Sequence, residues 1–202
     1  MAEIKPRFEF RTFARGLGSV ERRFRELAAV EGIRESSEIY IMSRGNNENN
    51  TKVRDAKMDI KVFVREDRGL EQWNPRMKGV FPMETAIIRD DVFPALEVDL
   101  PEFKREVYSL EEYLAEVIEP HPDLQAVAVH KRRFGFTIND CIAELGEIYI
   151  NGAKIVTANL ESVDVDAILE GMKMAGLEGY ENINYLMAIK KVIGMEKGSI
   201  PW

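Results

Sequence analysis

Lysine and arginine recur two residues apart inside stretches that read as β-strands, and this spacing constrains the fold more than any other feature of the chain. Lys52 and Arg54 form one such pair, Arg76 and Lys78 another, and Lys131 and Arg133 a third. Side chains at i and i+2 on a strand point to the same face. In the last case His130 and Arg132 make an opposing pair, so the pattern alone leaves the register open. Mixed pairs occur too: Glu9 with Arg11, and Asp59 with Lys61. For any single pair the simpler reading is a solvated outer face. Repetition with sorting favours another. Cations dominate several strands, while carboxylates fall on the first strand and near the end, at Glu144, Glu147 and Glu161. A closed sheet brings such separated strands around one lumen. Two cations ~7 Å apart repel by about 2.4 kcal/mol at an effective dielectric near 20, against roughly 0.6 kcal/mol in bulk water. Five or six converging cations therefore need carboxylates, solvent or a bound anion to offset them. A linear polyphosphate suits that role: Arg offers a fork to phosphate oxygens and Lys a point charge. Carboxylates in the same cavity would hinder anion binding by themselves. They make sense as ligands of a hard divalent cation such as Mg²⁺ or Mn²⁺ that bridges phosphates.

The pattern along the chain predicts strands over 6–13, 38–44, 51–54, 58–65, 76–81, 125–137, 141–150 and 153–161. In the fourth, Met58, Ile60, Val62 and Val64 form one face. Asp55-Ala56-Lys57 and Asn151-Gly152 are the turn signals. Ser19 is placed to cap a helix in which Val20, Phe24, Leu27 and Ala28 share a face. Ser109 and Glu112 have the spacing of a capping box before an amphipathic stripe that ends at Pro120. Helices also follow at Val165–Met172 and after Asn182. About eight strands joined by short connections, without regular strand–helix alternation, predict an α+β chain: an antiparallel sheet curled into a barrel, with flanking helices, over a single domain 1–202.

Composition narrows the partners. A net charge of −7 argues against a nucleic-acid polymer, which needs a broad basic face. No window approaches the ~18 apolar residues of a membrane span. The N-terminus MAEIKPRFEF lacks a basic run followed by an apolar stretch, so no leader is expected. The lone Cys141 allows no internal disulfide and points to a reducing, cytoplasmic setting. Cys141 reads as a core residue. His121 and His130 sit in no ligand pattern. Gly16-Leu17-Gly18 lacks the Lys-Ser/Thr of a phosphate-binding P-loop, and Trp73 and Trp202 are too far apart in sequence for a base-stacking platform.

The charged strands resemble those of the CYTH, or triphosphate tunnel metalloenzyme, superfamily, which includes thiamine triphosphatases, inorganic triphosphatases and class IV adenylate cyclases. The family hallmark is an N-terminal Glu-x-Glu-x-Lys strand. Here Arg7-Phe8-Glu9-Phe10-Arg11 has Glu9 at the second Glu and Arg11 in place of Lys, with Arg7 where the first Glu would stand. Lys52-Val53-Arg54 is similar to the paired basic strand, Lys61 to the basic residue of the next, and Lys131 and Arg133 to the later basic strand. Glu144 stands where a strand acid is expected. A late Glu-x-Glu pair is matched by Asn159-Leu160-Glu161. The resemblance implies an eight-stranded antiparallel tunnel holding a small triphosphate or polyphosphate. It implies Mg²⁺ or Mn²⁺ on Glu9, Glu144 and Glu161, and phosphate on Arg11, Lys52, Arg54, Lys61, Lys131 and Arg133, to which the strand pattern adds Lys78. Glu9 and Lys61 would serve catalysis, and a homodimer is compatible with it. Arg7 and Asn159 each remove a carboxylate assigned to metal, which makes phosphate binding the firmer expectation. The leading reading is a metal-dependent phosphohydrolase. The alternatives are a non-catalytic phosphate or nucleotide sensor of the same shape, a class IV adenylate cyclase-like activity, and a strand-rich module whose charges face solvent.

Overall fold

The structure is a computed structural model that describes residues 6–198 and Ile200; Trp202 and the first five residues lie outside the described residues. Its barrel strands are β1 (Arg7–Ala14), β2 (Gly32–Ser43), β3 (Asn49–Arg54), β4 (Lys57–Asp67), β5 (Leu70–Val80), β8 (Leu124–Ile138), β9 (Cys141–Ile150) and β10 (Ala153–Ser162). They close in the order β1-β10-β9-β8-β2-β3-β4-β5, with antiparallel pairing throughout. A small ribbon, β6 (Met83–Glu84) with β7 (Val107–Tyr108), stands outside. Five helices flank the barrel: α1 (Gly18–Leu27), α2 (85–96) and α3 (110–118), both with a π-helical turn, α4 (Val165–Ala175) and α5 (Tyr185–Ile193). Among the described residues no helix is long and apolar enough to cross a membrane.

Local chemistry accounts for the closure. Four hairpins turn on two residues with positive φ: Asp55-Ala56, Arg68-Gly69, Asn139-Asp140 and Asn151-Gly152. Two-residue turns with both residues in the left-handed region match the right-handed twist of the flanking strands. Pro75 lies within β5, which it can do because register shifts between Ile60 and Lys61 and between Phe63 and Arg65 break the ladder beside it. The same shifts spoil the alternation expected of β4, and Val64 is exposed rather than on an apolar face. Ser109 forms the anticipated capping box with Glu112. Two other caps differ from expectation. The first helix starts at Gly18 behind Leu17, without a side-chain cap, and Leu27 is exposed. The last helix is capped by Asn184, not Asn182.

Three apolar clusters follow from these elements. One joins the outer face of β1, β10, β9 and β8 to α1 and α4, through Phe24, Phe136, Leu160 and Ile168, and takes in the buried Cys141. A second joins β2–β4 to the 81–118 excursion through Ile60, Val92, Phe93 and Tyr113. The third lies inside the barrel. Phe13, Tyr40, Met42, Val127, Val129, Ile148 and Ile155 meet Leu186 and Ile189 of α5, which fill one end. Along each inner face the chain therefore passes from apolar to charged: Phe13, Arg11, Glu9, Arg7 on β1; Val127, Val129, Lys131, Arg133 on β8; Ile155, Thr157, Asn159, Glu161 on β10. This gradient leaves one half of the lumen packed and the other half polar.

Candidate functional site

The polar half is a cavity of about 270 Å³, near the lower end of ligand-pocket sizes. Among the described residues seven cations line it: Arg7, Arg11, Arg34, Lys52, Lys61, Lys131 and Arg133. They come from β1, β2, β3, β4 and β8. Four carboxylates line it as well, Glu9, Glu71, Glu144 and Glu161. A fifth, Glu38, lies against its wall with a side chain that is 0% exposed. Cations remain in excess even when Glu38 is counted, in a chain whose net charge is −7.

The register left open around Lys131 is settled. Lys131 and Arg133 face the lumen, while Arg132 turns outward to Glu35 and Glu147 and His130 is exposed. Glu147 is accordingly an outer-face residue. Two expected phosphate ligands are placed elsewhere. Lys78 pairs with Asp59 in register but is exposed and does not line the cavity, because β5 bends through Pro75 and its bulges. Arg54 is 42% exposed and reaches Glu38 at 3.5 Å from the strand end instead of lining the cavity. Lys52, Lys61, Arg11, Glu9, Glu144 and Glu161 all line it.

Glu38 organises the cation wall. Its Oε2 is 2.8 Å from Lys131 Nζ and 3.1 Å from Lys52 Nζ. Burial alone would raise its pKa, but attraction to Lys131 and Lys52 outweighs that and holds it at about 2. Burial pushes Lys131 well below the usual lysine value, and repulsion from Lys52 adds to this against the pull of Glu38. Lys131 Nζ also donates to Tyr40 Oη at 2.7 Å and stands 3.8 Å from the centre of the Tyr185 ring. Burial lowers Lys52 too, partly offset by Glu38.

The acid wall is built by register. Glu9 is paired with Glu161, Arg11 with Asn159, and Asn159 with Glu144. Arg11 donates from Nε to Glu9 Oε1 and lies 3.7 Å from Glu144, and Arg7 bonds Glu161 at 3.1 Å. Burial would lower the Arg11 pKa, but the Glu9 carboxylate, with Tyr185 and Glu144, carries it further up. Among the described residues, no group of three His, Cys, Asp or Glu side chains is close enough to hold a metal ion. The three acids expected to bind Mg²⁺ or Mn²⁺ are thus brought to one wall but held by arginines, so this arrangement does not fit a divalent metal.

Several lumen residues escaped the strand pattern. Arg34 lies on the first half of β2, which shows no apolar alternation, and Tyr40 lies within the expected strand 38–44, where no charge pair marks the lumen face. Asn182 and Asn184 belong to the segment entering α5: Asn182 binds the Arg11 amide at 2.8 Å and the Gly69 carbonyl at 2.8 Å, and Asn184 binds Glu71. Trp73, set aside as too far in sequence from Trp202 to build a stacking platform, lines the cavity. Its indole donates to Glu71, and its ring meets Phe63 edge-on. Buried polar atoms without a partner gather here as well: Arg133 Nε, Asn159 Oδ1, Asn50 Oδ1 and Tyr185 Oη. Such groups are uncommon in interiors unless water or a ligand meets them.

The chain was compared with known proteins. It aligns with HpAC1 from Hippeastrum, provisionally named an adenylyl cyclase and reported to have a dominant triphosphatase activity, with a TM-score of 0.51 and 11% identity over 91% of this chain and 95% of that one. The likeness is one of fold, a closed eight-stranded antiparallel barrel with flanking helices. The tunnel also aligns with the PH1012 protein of Pyrococcus horikoshii OT3, at TM-score 0.49 and 16% identity over 89% of this chain and 97% of that one. A Bacillus halodurans protein provisionally named an adenylate cyclase aligns at TM-score 0.49 and 12% identity over 88% and 94%. No family model matches the sequence, and no curated protein matches it.

Proposed function

We propose that the tunnel binds a small triphosphate or inorganic polyphosphate in the polar half of its lumen. The observation that carries this reading is the convergence, among the described residues, of seven cations from five strands on one cavity of an acidic protein. Charge-assisted hydrogen bonds to phosphate contribute about 1.5–3 kcal/mol each. Lys52, Lys61, Lys131, Arg133 and Arg11 would supply them. The blocked end at α5 admits the anion from the Arg7–Arg34 side, so a linear chain enters with its terminal phosphate toward Lys131.

Turnover of the bound triphosphate is a second reading, favoured by the likeness to HpAC1 and by Lys131. A lysine with a lowered pKa, hydrogen-bonded to a tyrosine hydroxyl, releases a proton more readily than an ordinary lysine, and Lys61 and Arg133 would offset charge developing on the phosphoryl group. Mg²⁺ or Mn²⁺ on Glu9, Glu144 and Glu161 would require those acids to leave Arg7 and Arg11, and no step is assigned to it. A cytoplasmic protein acting on a soluble anion, with no nucleic-acid polymer or membrane as partner, completes the proposal. Tripolyphosphate, thiamine triphosphate and ATP, each with and without Mg²⁺ or Mn²⁺, test it by thermal shift, released phosphate and cyclic AMP. Stabilisation by triphosphate supports the binding site, and released phosphate adds hydrolysis. No stabilisation by any of the three would remove the proposal.

A further inference from the structure

We propose that Arg7 and Arg11 stand in this lumen where a divalent cation would otherwise be needed, so that a linear triphosphate is bound without metal. The inference rests on the phosphate-binding reading above and adds what accompanies the anion.

The acid wall sets the problem. Glu9 and Glu161 are directly paired across β1 and β10, and Glu144 lies one strand further on, opposite Asn159. Paired positions place Cβ atoms roughly 4.5–5.5 Å apart. Glu9 and Glu161 at that spacing, with Glu144 beyond them on the same wall, repel one another and an incoming polyphosphate, and a hard dication is the usual remedy. Here each acid has a guanidinium. Arg7 Nη1 is 3.1 Å from Glu161 Oε1. Arg11 bridges Glu9 and Glu144, and Arg133 Nη1 approaches Glu144 Oε2 at 3.8 Å.

Arg11 is not free to withdraw. Its side chain is 9% exposed. Its Nη1 donates to Thr157 Oγ1 at 3.3 Å, and its guanidinium lies 4.8 Å from the Tyr185 ring centre. Its backbone is clamped by Asn182 and by Ile183, whose amide donates to the Arg11 carbonyl at 2.6 Å. Guanidinium stays charged at any pH the fold survives. A metal ion would have to share the carboxylates with a fixed cation, and its double charge doubles the repulsion. Arg7, Arg11 and Arg133 together match the charge of Glu9, Glu144 and Glu161, and the lysines of the lumen are left for phosphate. Asn159, neutral where the resemblance sets an acid, has a side-chain oxygen without a partner. Its amide can turn to offer N–H to a phosphate oxygen.

A consequence separates this arrangement from a metal-bridged one. Magnesium in solution binds triphosphate and cancels two of its charges. Metal should therefore compete with this lumen for the anion.

The experiment is calorimetric titration of the full chain with tripolyphosphate in EDTA and again with excess Mg²⁺, plus Mn²⁺ binding followed by electron paramagnetic resonance. The wild type should bind tripolyphosphate in EDTA, bind it at least threefold more weakly in excess Mg²⁺, and leave the Mn²⁺ signal free. Arg7→Glu, at a side chain 49% exposed on the rim, should gain Mn²⁺ binding. Tripolyphosphate binding that requires Mg²⁺, or is tenfold tighter with it, would overturn the inference and leave the phosphate site standing. Absence of binding under both conditions would overturn the phosphate site and this inference with it. The wild-type titrations decide the question even where Arg7→Glu does not fold.

Discussion

Replacing Glu38 by glutamine tests the electrostatics of the lumen at its most buried charge. The wild-type carboxylate is 0% exposed and its pKa is held at about 2, against an ordinary 4.5. A difference of about 2.5 units corresponds to roughly 3 kcal/mol of stability at neutral pH. Removing one partner of a buried ion pair costs about 3–5 kcal/mol, because the other charge is left uncompensated. Glu38→Gln leaves Lys131 and Lys52 in that position, although deprotonation of Lys131 relieves part of the loss. A loss of about 3 kcal/mol lowers Tm by about 6–12 °C for a chain of this size. The pH dependence has a definite sign. A depressed carboxylate pKa contributes stability that is present above about pH 4.5 and is lost as pH falls toward 2. Differential scanning calorimetry of wild type and variant should therefore show the full gap at pH 7 and a narrowing gap from about pH 5 downward. Tripolyphosphate should raise Tm more in Glu38→Gln than in the wild type, since the anion meets two cations the variant has left unpaired. An unchanged Tm at pH 7, or a gap of equal size at pH 3 and pH 7, would refute this view of Glu38.

Other substitutions probe separate parts of the structure. Lys61→Ala should weaken tripolyphosphate binding about tenfold in calorimetry, whereas Lys78→Ala, on the exposed face of β5, should leave it unchanged. Because burial lowers the Lys131 pKa, tripolyphosphate affinity should begin to fall with rising pH well before an ordinary lysine titrates, and Lys131→Met should remove that component. Gly171→Ala places a methyl group 2.5 Å from Leu160 Cδ2 between α4 and the barrel, which should cost about 1–3 kcal/mol by chemical denaturation. Lys190→Met removes an ammonium that donates to the Arg44 and Asn46 carbonyls and Asn47 Oδ1. It should destabilise by about 2–4 kcal/mol without changing anion affinity, since those partners lie away from the lumen.

The closed barrel was legible in the sequence because one inner face after another carries charge at period two, and because Asn151-Gly152 declares its hairpin. Where neither face is apolar the signal fails. Gly32–Ser37 begins β2, yet Arg34, Ser36 and Glu38 face inward while Ile33, Glu35 and Ser37 face outward, so no alternation of hydrophobicity marks it. The first half of β5 is hidden by Pro75, which register shifts accommodate. Turns with Ala56 or Asp140 in the left-handed region are weak signals beside glycine. Among site residues, those on regular strands (Glu9, Arg11, Lys52, Lys131, Arg133) were accessible to period-two reasoning, and the bulges misdirected it at Lys78. The segment through Asn182 and Asn184 depends on where a helix docks after the barrel is complete, which no local pattern encodes. The pairing of Arg7 with Glu161 and Arg11 with Glu9 is likewise a matter of register across strands far apart in sequence.

The most direct test of an anion-binding tunnel is calorimetric titration of the wild-type chain with tripolyphosphate in EDTA at low and moderate salt. A single site per chain, weakened as salt rises and weakened in Lys131→Met, is the predicted result. No saturable heat at low salt, or binding indifferent to Lys131, would contradict it.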